Sequence, residues 1–190
     1  MSKEHLKQKT TNTSFEDTVH SSFGKSMKYK KGTILQKEGD LSLNVYIVRK
    51  GLLKSYVLDE KGREHVFMFA PEGWIISDLE SHEFDQPAEL FIECLEDCEL
   101  TVIKRTNLNF AILNDEEKIK HLQLMHRRIS VMQRRIIMQM SYSAKQRYEF
   151  FLNHYPNLLN RLSSKIIASF LGMTPETLSS LRSSMAKKQL

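Results

Sequence analysis

The chain has 190 residues, of which 41% are hydrophobic and 27% are charged. These fractions are typical of globular domains and exclude a disordered or fibrous chain. The apolar runs are too short for a transmembrane helix, and the polar, lysine-rich start of the sequence does not resemble a signal peptide. The two cysteines, Cys94 and Cys98, are too few for a disulfide framework. We therefore expect a cytoplasmic protein with one large or two small domains.

The net charge of +5 is unevenly distributed along the chain. Residues 1–99 contain 13 Lys and Arg against 18 Asp and Glu, whereas residues 100–190 contain 15 against 5. This asymmetry indicates that only the C-terminal half meets a polyanion, and nucleic acid is the first candidate. A solvated basic helix surface is the alternative explanation.

The N-terminal half contains the pattern of a β-roll. Residues 1–26 form a separate segment, in which Phe15, Val19 and Phe23 have the spacing of one short helix. From residue 27 to 113, short runs rich in β-branched and aromatic residues alternate with glycine-containing turns. This alternation predicts an antiparallel roll of the jelly-roll type. The predicted strands cover residues 33–35, 45–49, 52–58, 65–69, 90–95 and 100–103.

A long helix is predicted over residues 114–141. Asn114 or Asp115 can cap its N-terminus, and an acidic first turn suits the positive end of the helix dipole. Apolar residues then alternate at spacings of three and four, which is typical of a coiled-coil seam between two copies of a chain. The seam residues are Leu122, Met125, Ile129, Met132 and Ile136. A helix packed on the core of a monomer would show a similar stripe, but the length of this helix favours a dimer.

Residues 142–190 are predicted to form a small helical domain with a helix-turn-helix motif. Ala168 is small where two helices would cross, and Gly172 suits a left-handed turn between them. Thr174, Pro175 and Glu176 are typical of a helix start. In the DNA-binding form of this motif, the second helix enters the major groove. An ordinary pair of antiparallel helices is the alternative interpretation.

The layout from Lys28 onward resembles the Crp/Fnr family of bacterial transcription regulators. The most specific similarities lie in the segments Tyr29-Lys30-Lys31-Gly32, Glu38-Gly39-Asp40, Tyr46 to Gly51 and Ile167 to Thr177. The resemblance implies an α+β fold: a cyclic-nucleotide-binding-like antiparallel β-roll, a long dimerisation helix and a C-terminal helix-turn-helix domain. It also implies a cytoplasmic homodimer that binds near-palindromic double-stranded DNA. RNA polymerase is a further candidate partner, and no membrane partner is expected.

The resemblance also implies an effector pocket after the turn at Gly73 and Trp74. The family's acid that holds a ribose hydroxyl falls on Asp78, and its phosphate-binding arginine falls near residues 86–89. That segment contains Glu89 and no arginine. Because a carboxylate cannot pair with a phosphate, we expect that neither cAMP nor cGMP binds. Trp74 is interpreted as a core or pocket-lid aromatic, no cofactor is predicted, and the effector is left open.

The predicted DNA contacts lie on the second helix of the motif and just after it. The resemblance implies that Glu176 accepts a hydrogen bond from a cytosine amino group, whereas the family's base-reading arginines fall on Pro175 and Ser180. The candidate DNA-binding residues are Thr174, Glu176, Thr177, Ser179, Ser180, Arg182, Lys187 and Lys188. We expect no winged hairpin, since residues 156–163 are too few to form one. A degenerate sensor or protein-interaction module that does not bind DNA therefore stays open as a second interpretation.

The sequence contains no motif that predicts catalysis or a metal site. Nucleophile elbows, phosphate-binding glycine loops and metalloprotease motifs are missing from the sequence, so we expect no enzyme and no metal. An enzyme on a cupin-like barrel would need a cluster of histidines, but the predicted roll contains only His65 and His82. Two cysteines are too few for an iron–sulfur cluster. We expect Cys94 and Cys98 to lie buried on one face of a strand.

Overall fold

The N-terminal part of the protein is a β-roll built from two four-stranded antiparallel sheets. The computed structural model describes residues 24–41, 44–104 and 114–187. A short helix, α1 (Leu79–Phe84), follows the sixth strand. The strands in this part of the chain are β1 (Gly24–Tyr29), β2 (Ile34–Gln36), β3 (Asn44–Lys50), β4 (Leu53–Leu58), β5 (Glu64–Ala70), β6 (Ile75–Ile76), β7 (Phe91–Cys94) and β8 (Cys98–Lys104).

The two sheets enclose the core of the roll. One sheet has the strand order β1-β8-β3-β6 and the other has the order β2-β7-β4-β5. The side chains of Val48, Leu53, Ile92 and Leu100 are buried in the shared core. These residues come from the β-branched and apolar runs of the sequence, so the predicted antiparallel roll is confirmed. In the second sheet, β5 is an outer strand with β4 as its neighbour.

Two local predictions for the roll need correction. The first strand begins at Gly24, three residues before the boundary predicted at residue 27. The prediction that Cys94 and Cys98 share one face of a single strand was wrong. Cys94 ends β7 in one sheet and Cys98 begins β8 in the other, because the acidic pair between them forms a turn. Both thiols are buried, as expected. The predicted helix around Val19 lies outside the described residues.

Helices, joined by short turns, form the C-terminal part over its described residues, 114–187. Its helices are α2 (Asp115–Ser141), α3 (Ala144–His154), α4 (Ser164–Leu171) and α5 (Pro175–Ala186), with a 3-10 turn at Pro156–Leu158. Asn114 and Glu117 form a reciprocal capping box at the start of α2, which fixes the helix start near the predicted residue. Tyr142 and Ser143 alone separate α2 from α3, and Ser143 caps α3.

A second core joins the roll to the helices. Leu52, Val66 and Phe69 of the roll are buried together with Phe151 and Phe170 of the helical domain. The rings of Phe69 and Phe170 lie 4.9 Å apart. Burying each such side chain contributes about 1.5–3 kcal/mol. This shared core holds the helical domain against the roll.

Candidate functional site

Helices α4 and α5 form the predicted helix-turn-helix. Gly172 ends α4 with a φ of +62°, a left-handed conformation that favours glycine. Thr174 then caps α5 by accepting a hydrogen bond from the amide of Thr177 at 3.2 Å. Ala168 is fully buried at the helix crossing, and Leu178 is buried beneath α5. The sequence signals for this motif therefore correspond to its observed geometry.

The outer face of α5 is exposed and polar. Six of the candidate DNA-binding residues lie on it or beside it: Thr174, Glu176, Thr177, Ser179, Ser180 and Lys187. Hydrogen bonds from its own backbone amide and from the Thr174 hydroxyl lower the pKa of Glu176, so its carboxylate is ionised at neutral pH. An ionised carboxylate on an exposed helix start can accept hydrogen bonds from base amino groups.

Arg182 does not belong to this outer face. Its Nε donates to Tyr148 Oη at 3.1 Å, and its Nη1 donates to Ser164 Oγ at 2.8 Å. The guanidinium also lies over the Tyr148 ring, 5.5 Å from the centroid. Arg182 thus joins α5 to α3 and α4, and its role as a phosphate contact stays a prediction. Lys188 lies outside the described residues.

Helix α2 has two apolar faces. Leu122, Ile129 and Ile136 of the predicted seam are 54–57% exposed, and Met125 and Met132 are half-buried beside them. The opposite face lies on the roll, where Met138 is buried. One face of α2 therefore packs within the chain, as the monomer interpretation requires. Three of the five predicted seam residues, Leu122, Ile129 and Ile136, stay more than half exposed in the single chain.

The buried acid of the expected effector pocket is already hydrogen-bonded. Asp78 is 3% exposed and caps α1, accepting a hydrogen bond from Ser81 N at 3.1 Å. Its other oxygen accepts from Glu89 N and Leu90 N, each at 3.0 Å. The Asp78 carboxylate thus holds the start of α1 against the segment that leads into β7. This arrangement differs from the ribose contact that the resemblance implied.

The other two residues of the predicted effector pocket are the apolar Trp74, which is half-buried, and the charged Glu89, which is exposed. Trp74 is half-buried and packs against the core of the roll, as expected for a core or lid aromatic. Its carbonyl accepts a hydrogen bond from Val48 N at 2.9 Å. Glu89 is exposed, while the neighbouring Ala88 is buried. The exposed carboxylate of Glu89 does not point into the buried Asp78 network.

Sequence reasoning missed the residues that connect the parts of the molecule. Arg128 of α2 donates to the carbonyl of Ile75, in the segment that leads to Asp78. Arg161, just before α4, binds the carboxylates of Glu72 and Glu96 at 2.7–2.9 Å. Arg128 and Arg135 lie seven residues apart and flank the seam, and this spacing was the available signal that both lie on one side of α2.

The described residues contain neither a membrane span nor a metal-ligand cluster. No helix among them is long and apolar enough to cross a membrane. In the same part of the chain, no group of three or more His, Cys, Asp or Glu side chains could hold a metal ion.

Comparisons with known proteins agree with this architecture. A family model for the cyclic nucleotide-binding domain matches residues 26–115. The Anaerobic regulatory protein of Haemophilus influenzae is 26% identical over 197 residues, covering 90% of this chain and 71% of that protein. The structure of FixK2 from Bradyrhizobium japonicum matches with a TM-score of 0.74 and 22% identity, covering 87% and 86% of the two chains. A CRP/FNR-family transcriptional regulator from Thermus thermophilus matches with a TM-score of 0.60 and 19% identity, covering 86% and 87%.

The fold combines a cyclic-nucleotide-binding-type roll, a long connecting helix and a helix-turn-helix domain. The structural neighbours share this fold, and the curated relatives are regulatory proteins. The chain therefore resembles the Crp/Fnr family of transcription regulators.

Proposed function

We propose that this regulator acts as a homodimer that binds a specific, two-fold symmetric site in double-stranded DNA. The exposed polar face of α5, which follows the left-handed turn at Gly172, carries the proposal. This face belongs to the basic half of the chain. A helix presented in this way can enter the major groove while the basic surface around it contacts phosphates.

Base reading would rest on a small set of side chains. Glu176 would accept a hydrogen bond from a cytosine amino group, and Ser179 and Ser180 would add polar contacts. Thr174, Thr177, Lys187 and Lys188 would contact phosphates and fix the position of the helix on the duplex. With Arg182 bonded inside the domain, these contacts include few cations. We therefore expect moderate affinity with a clear dependence on salt concentration.

Dimerisation through α2 is supported by its exposed apolar stripe. Leu122, Ile129 and Ile136 are large aliphatic side chains that are more than half exposed in the single chain. A parallel copy of α2 would cover this stripe and place Met125 and Met132 at its border. Two recognition helices in such a dimer would contact half-sites about 34 Å apart, one turn of B-DNA.

The roll would act as the sensory or supporting part of the regulator, without binding a cyclic nucleotide. Three backbone amides bind the Asp78 carboxylate, and residues 86–89 offer no arginine for a phosphate. The proposed mechanism is a shift between two arrangements of α2 that changes the separation of the recognition helices. As a non-enzymatic regulator of transcription, the protein would act in the cytoplasm, with RNA polymerase as a candidate partner.

A selection from random double-stranded DNA tests the proposal. We expect the purified protein to enrich one two-fold symmetric site, and its binding constant to fall steeply as salt is raised. Matched selections with Glu176→Ala and with Ser184→Ala, which changes another exposed residue of α5, separate base reading from general effects on the helix. If the wild-type protein shows no preference over random competitor at low salt, the DNA-binding proposal is wrong. The degenerate sensor or protein-interaction module is then the better interpretation.

A further inference from the structure

The outer strand of the roll is tied to the helix-turn-helix by hydrogen bonds. Val66 N donates to Ser169 Oγ of α4 at 2.9 Å, and Ser169 Oγ donates to Glu64 O at 2.6 Å. Val66 O accepts a hydrogen bond from Arg135 Nη2 of α2 at 2.6 Å. Both main-chain groups of Val66 are therefore bonded to side chains of helices. Backbone groups at the edge of a sheet need such partners when they are covered.

Arg135 contacts two other elements at once. Besides its bond to β5, its Nη1 donates to Phe170 O near the end of α4 at 3.1 Å. The guanidinium also lies over the ring of Phe170, 3.9 Å from its centroid. Burial lowers the pKa of Arg135 to about 10, so the side chain is still charged at neutral pH. A single planar cation on α2 thus binds the roll and the first helix of the DNA-binding motif.

Two further side chains, Gln139 of α2 and Arg147 of α3, bind the C-terminal end of α4 at the turn of the motif. Gln139 Nε2 donates to Phe170 O at 3.2 Å, and Arg147 Nη1 donates to Leu171 O at 2.6 Å. Together with Arg135, these residues satisfy the free carbonyls at the C-terminal end of α4, where cations are favoured. The described residues of the helical domain include no strand, and β5 packs against the α4 side of its core. The motif is therefore held by the roll and by α2 together.

We propose that Arg135 is a positioning residue that fixes the helix-turn-helix relative to the dimerisation helix and the roll. The inference rests on the proposed function, because position matters only if two motifs bind one DNA site. The seam of α2 would define the dimer axis, and Arg135 flanks that seam, directly before Ile136. Its bonds to Phe170 O and Val66 O then set the direction of α4, and through Gly172 that of α5. This junction of Arg135 with Phe170 O and Val66 O therefore determines how far apart the two α5 helices of the dimer lie.

The test compares Arg135→Gln with Arg134→Gln in the full-length chain. The two variants lose the same charge from adjacent positions on α2, but Arg134 is exposed. Affinity is measured for the selected operator, for operators whose half-sites are moved by one to three base pairs, and for a single half-site. Wild type and Arg134→Gln should prefer one spacing. Arg135→Gln should keep its affinity for the single half-site and lose about tenfold or more of its preference for the correct spacing, since charge-assisted hydrogen bonds have effects of that size.

A purely structural role predicts a different result. If Arg135→Gln weakens the binding of the half-site and of the whole operator by the same factor, or keeps the wild-type spacing preference, the inference is wrong. Ser169→Ala is the second variant, because it removes only a hydroxyl from the junction. It should also weaken the preference for the correct spacing, and an unchanged preference in this variant also contradicts the inference.

Hydrogen exchange separates the failure of this inference from the failure of the proposed function. If the wild-type protein selects no operator, the proposed function fails and the junction is judged by exchange alone. Arg135→Gln should then speed the exchange of backbone amides in β5 and α4 at least about tenfold over Arg134→Gln. Equal exchange in the two variants overturns the junction itself.

Discussion

The carboxylate of Asp78 accepts a hydrogen bond from the backbone amide of Leu90 at 3.0 Å, across twelve residues of sequence. The same oxygen binds Glu89 N, and the other oxygen caps α1 through Ser81 N. An internal carboxylate therefore organises the part of the roll where the family resemblance implied an effector. This arrangement has consequences for stability and for ligand binding.

Replacing Asp78 by Asn should destabilise the roll. Asn has one accepting oxygen where Asp has two, so either Ser81 N or the amides of Glu89 and Leu90 would lose their acceptor. Leaving a buried donor unpaired costs about 1–3 kcal/mol, and we expect a loss of that size in the free energy of unfolding. Thermal and denaturant unfolding measure the change. Glu89→Gln is the matched control, since Glu89 is exposed. Equal stability of the two variants would contradict the structural role of Asp78.

Neither cAMP nor cGMP should bind to the wild-type protein with useful affinity. Asp78 is occupied by backbone amides, and residues 86–89 contain no cation that could pair with a phosphate. Losing the arginine contact alone removes about 1.5–3 kcal/mol of a charge-assisted interaction. Isothermal titration calorimetry with both nucleotides gives the answer. A dissociation constant below about 10 µM, equivalent to about 7 kcal/mol, would show that the phosphate site lies elsewhere.

Ile129→Asp should convert the dimer to a monomer. Ile129 lies in the middle of the exposed stripe of α2, so a symmetric dimer would bury two facing carboxylates. A buried unpaired charge costs several kcal/mol, which exceeds what one seam position contributes. Light scattering at micromolar concentration measures the mass, and circular dichroism checks that the roll is retained. Gln123→Asp places the same charge at an exposed position outside the stripe and should leave the dimer intact. A monomeric wild type would refute the seam.

Contacts to bases and contacts to phosphates should respond differently to mutation. Glu176→Ala should relax the preference at one base position per half-site, a change of about 1–3 kcal/mol in discrimination. Lys187→Ala should weaken binding to all sequences and reduce the salt slope by about one. Arg182→Gln should lower the melting temperature without changing the salt slope, because Arg182 bonds to Tyr148 and Ser164. If Arg182→Gln does reduce the salt slope, the Arg182 side chain of the wild-type protein must leave Tyr148 and Ser164 and contact a phosphate when DNA binds.

The ion pair between Arg161 and Glu72 should stabilise the contact between the roll and the helical domain less at low pH. Burial disfavours the ionised carboxylate of Glu72, but hydrogen bonds from Arg161 and from Gly51 N outweigh it, so the pKa of Glu72 lies below 4.5. Its contribution is complete above this ordinary value and is lost as the pH falls through the lowered value. The stability difference between wild type and Arg161→Gln should therefore shrink below about pH 4.5. Thermal unfolding from pH 7 to pH 3 measures it, and a constant difference would contradict the assignment.

Features that depend on neighbouring residues could be predicted from the sequence alone. The capping box at Asn114, the left-handed turn at Gly172 and the start of α5 at Thr174 each arise from hydrogen bonds within about four residues. Strand and helix periodicities likewise depend on local spacing, so the roll and the long helix could be predicted. The seam on α2 followed from the same periodicity, although the second apolar face did not.

The hydrogen-bond partners of several polar side chains, in contrast, depend on the packing of distant segments. Arg182 bonds to Tyr148 at a separation of 34 residues, and Arg135 bonds to Val66 at a separation of 69. The sequence does not distinguish an arginine that bonds within its own domain from one that faces solvent. Local spacing therefore could not show that Arg182 bonds to Tyr148. The same holds for Asp78, whose carboxylate was interpreted as part of a ligand site until the fold brought Leu90 N within 3.0 Å. A side chain's partner depends on how distant segments pack, and one sequence does not contain that information locally.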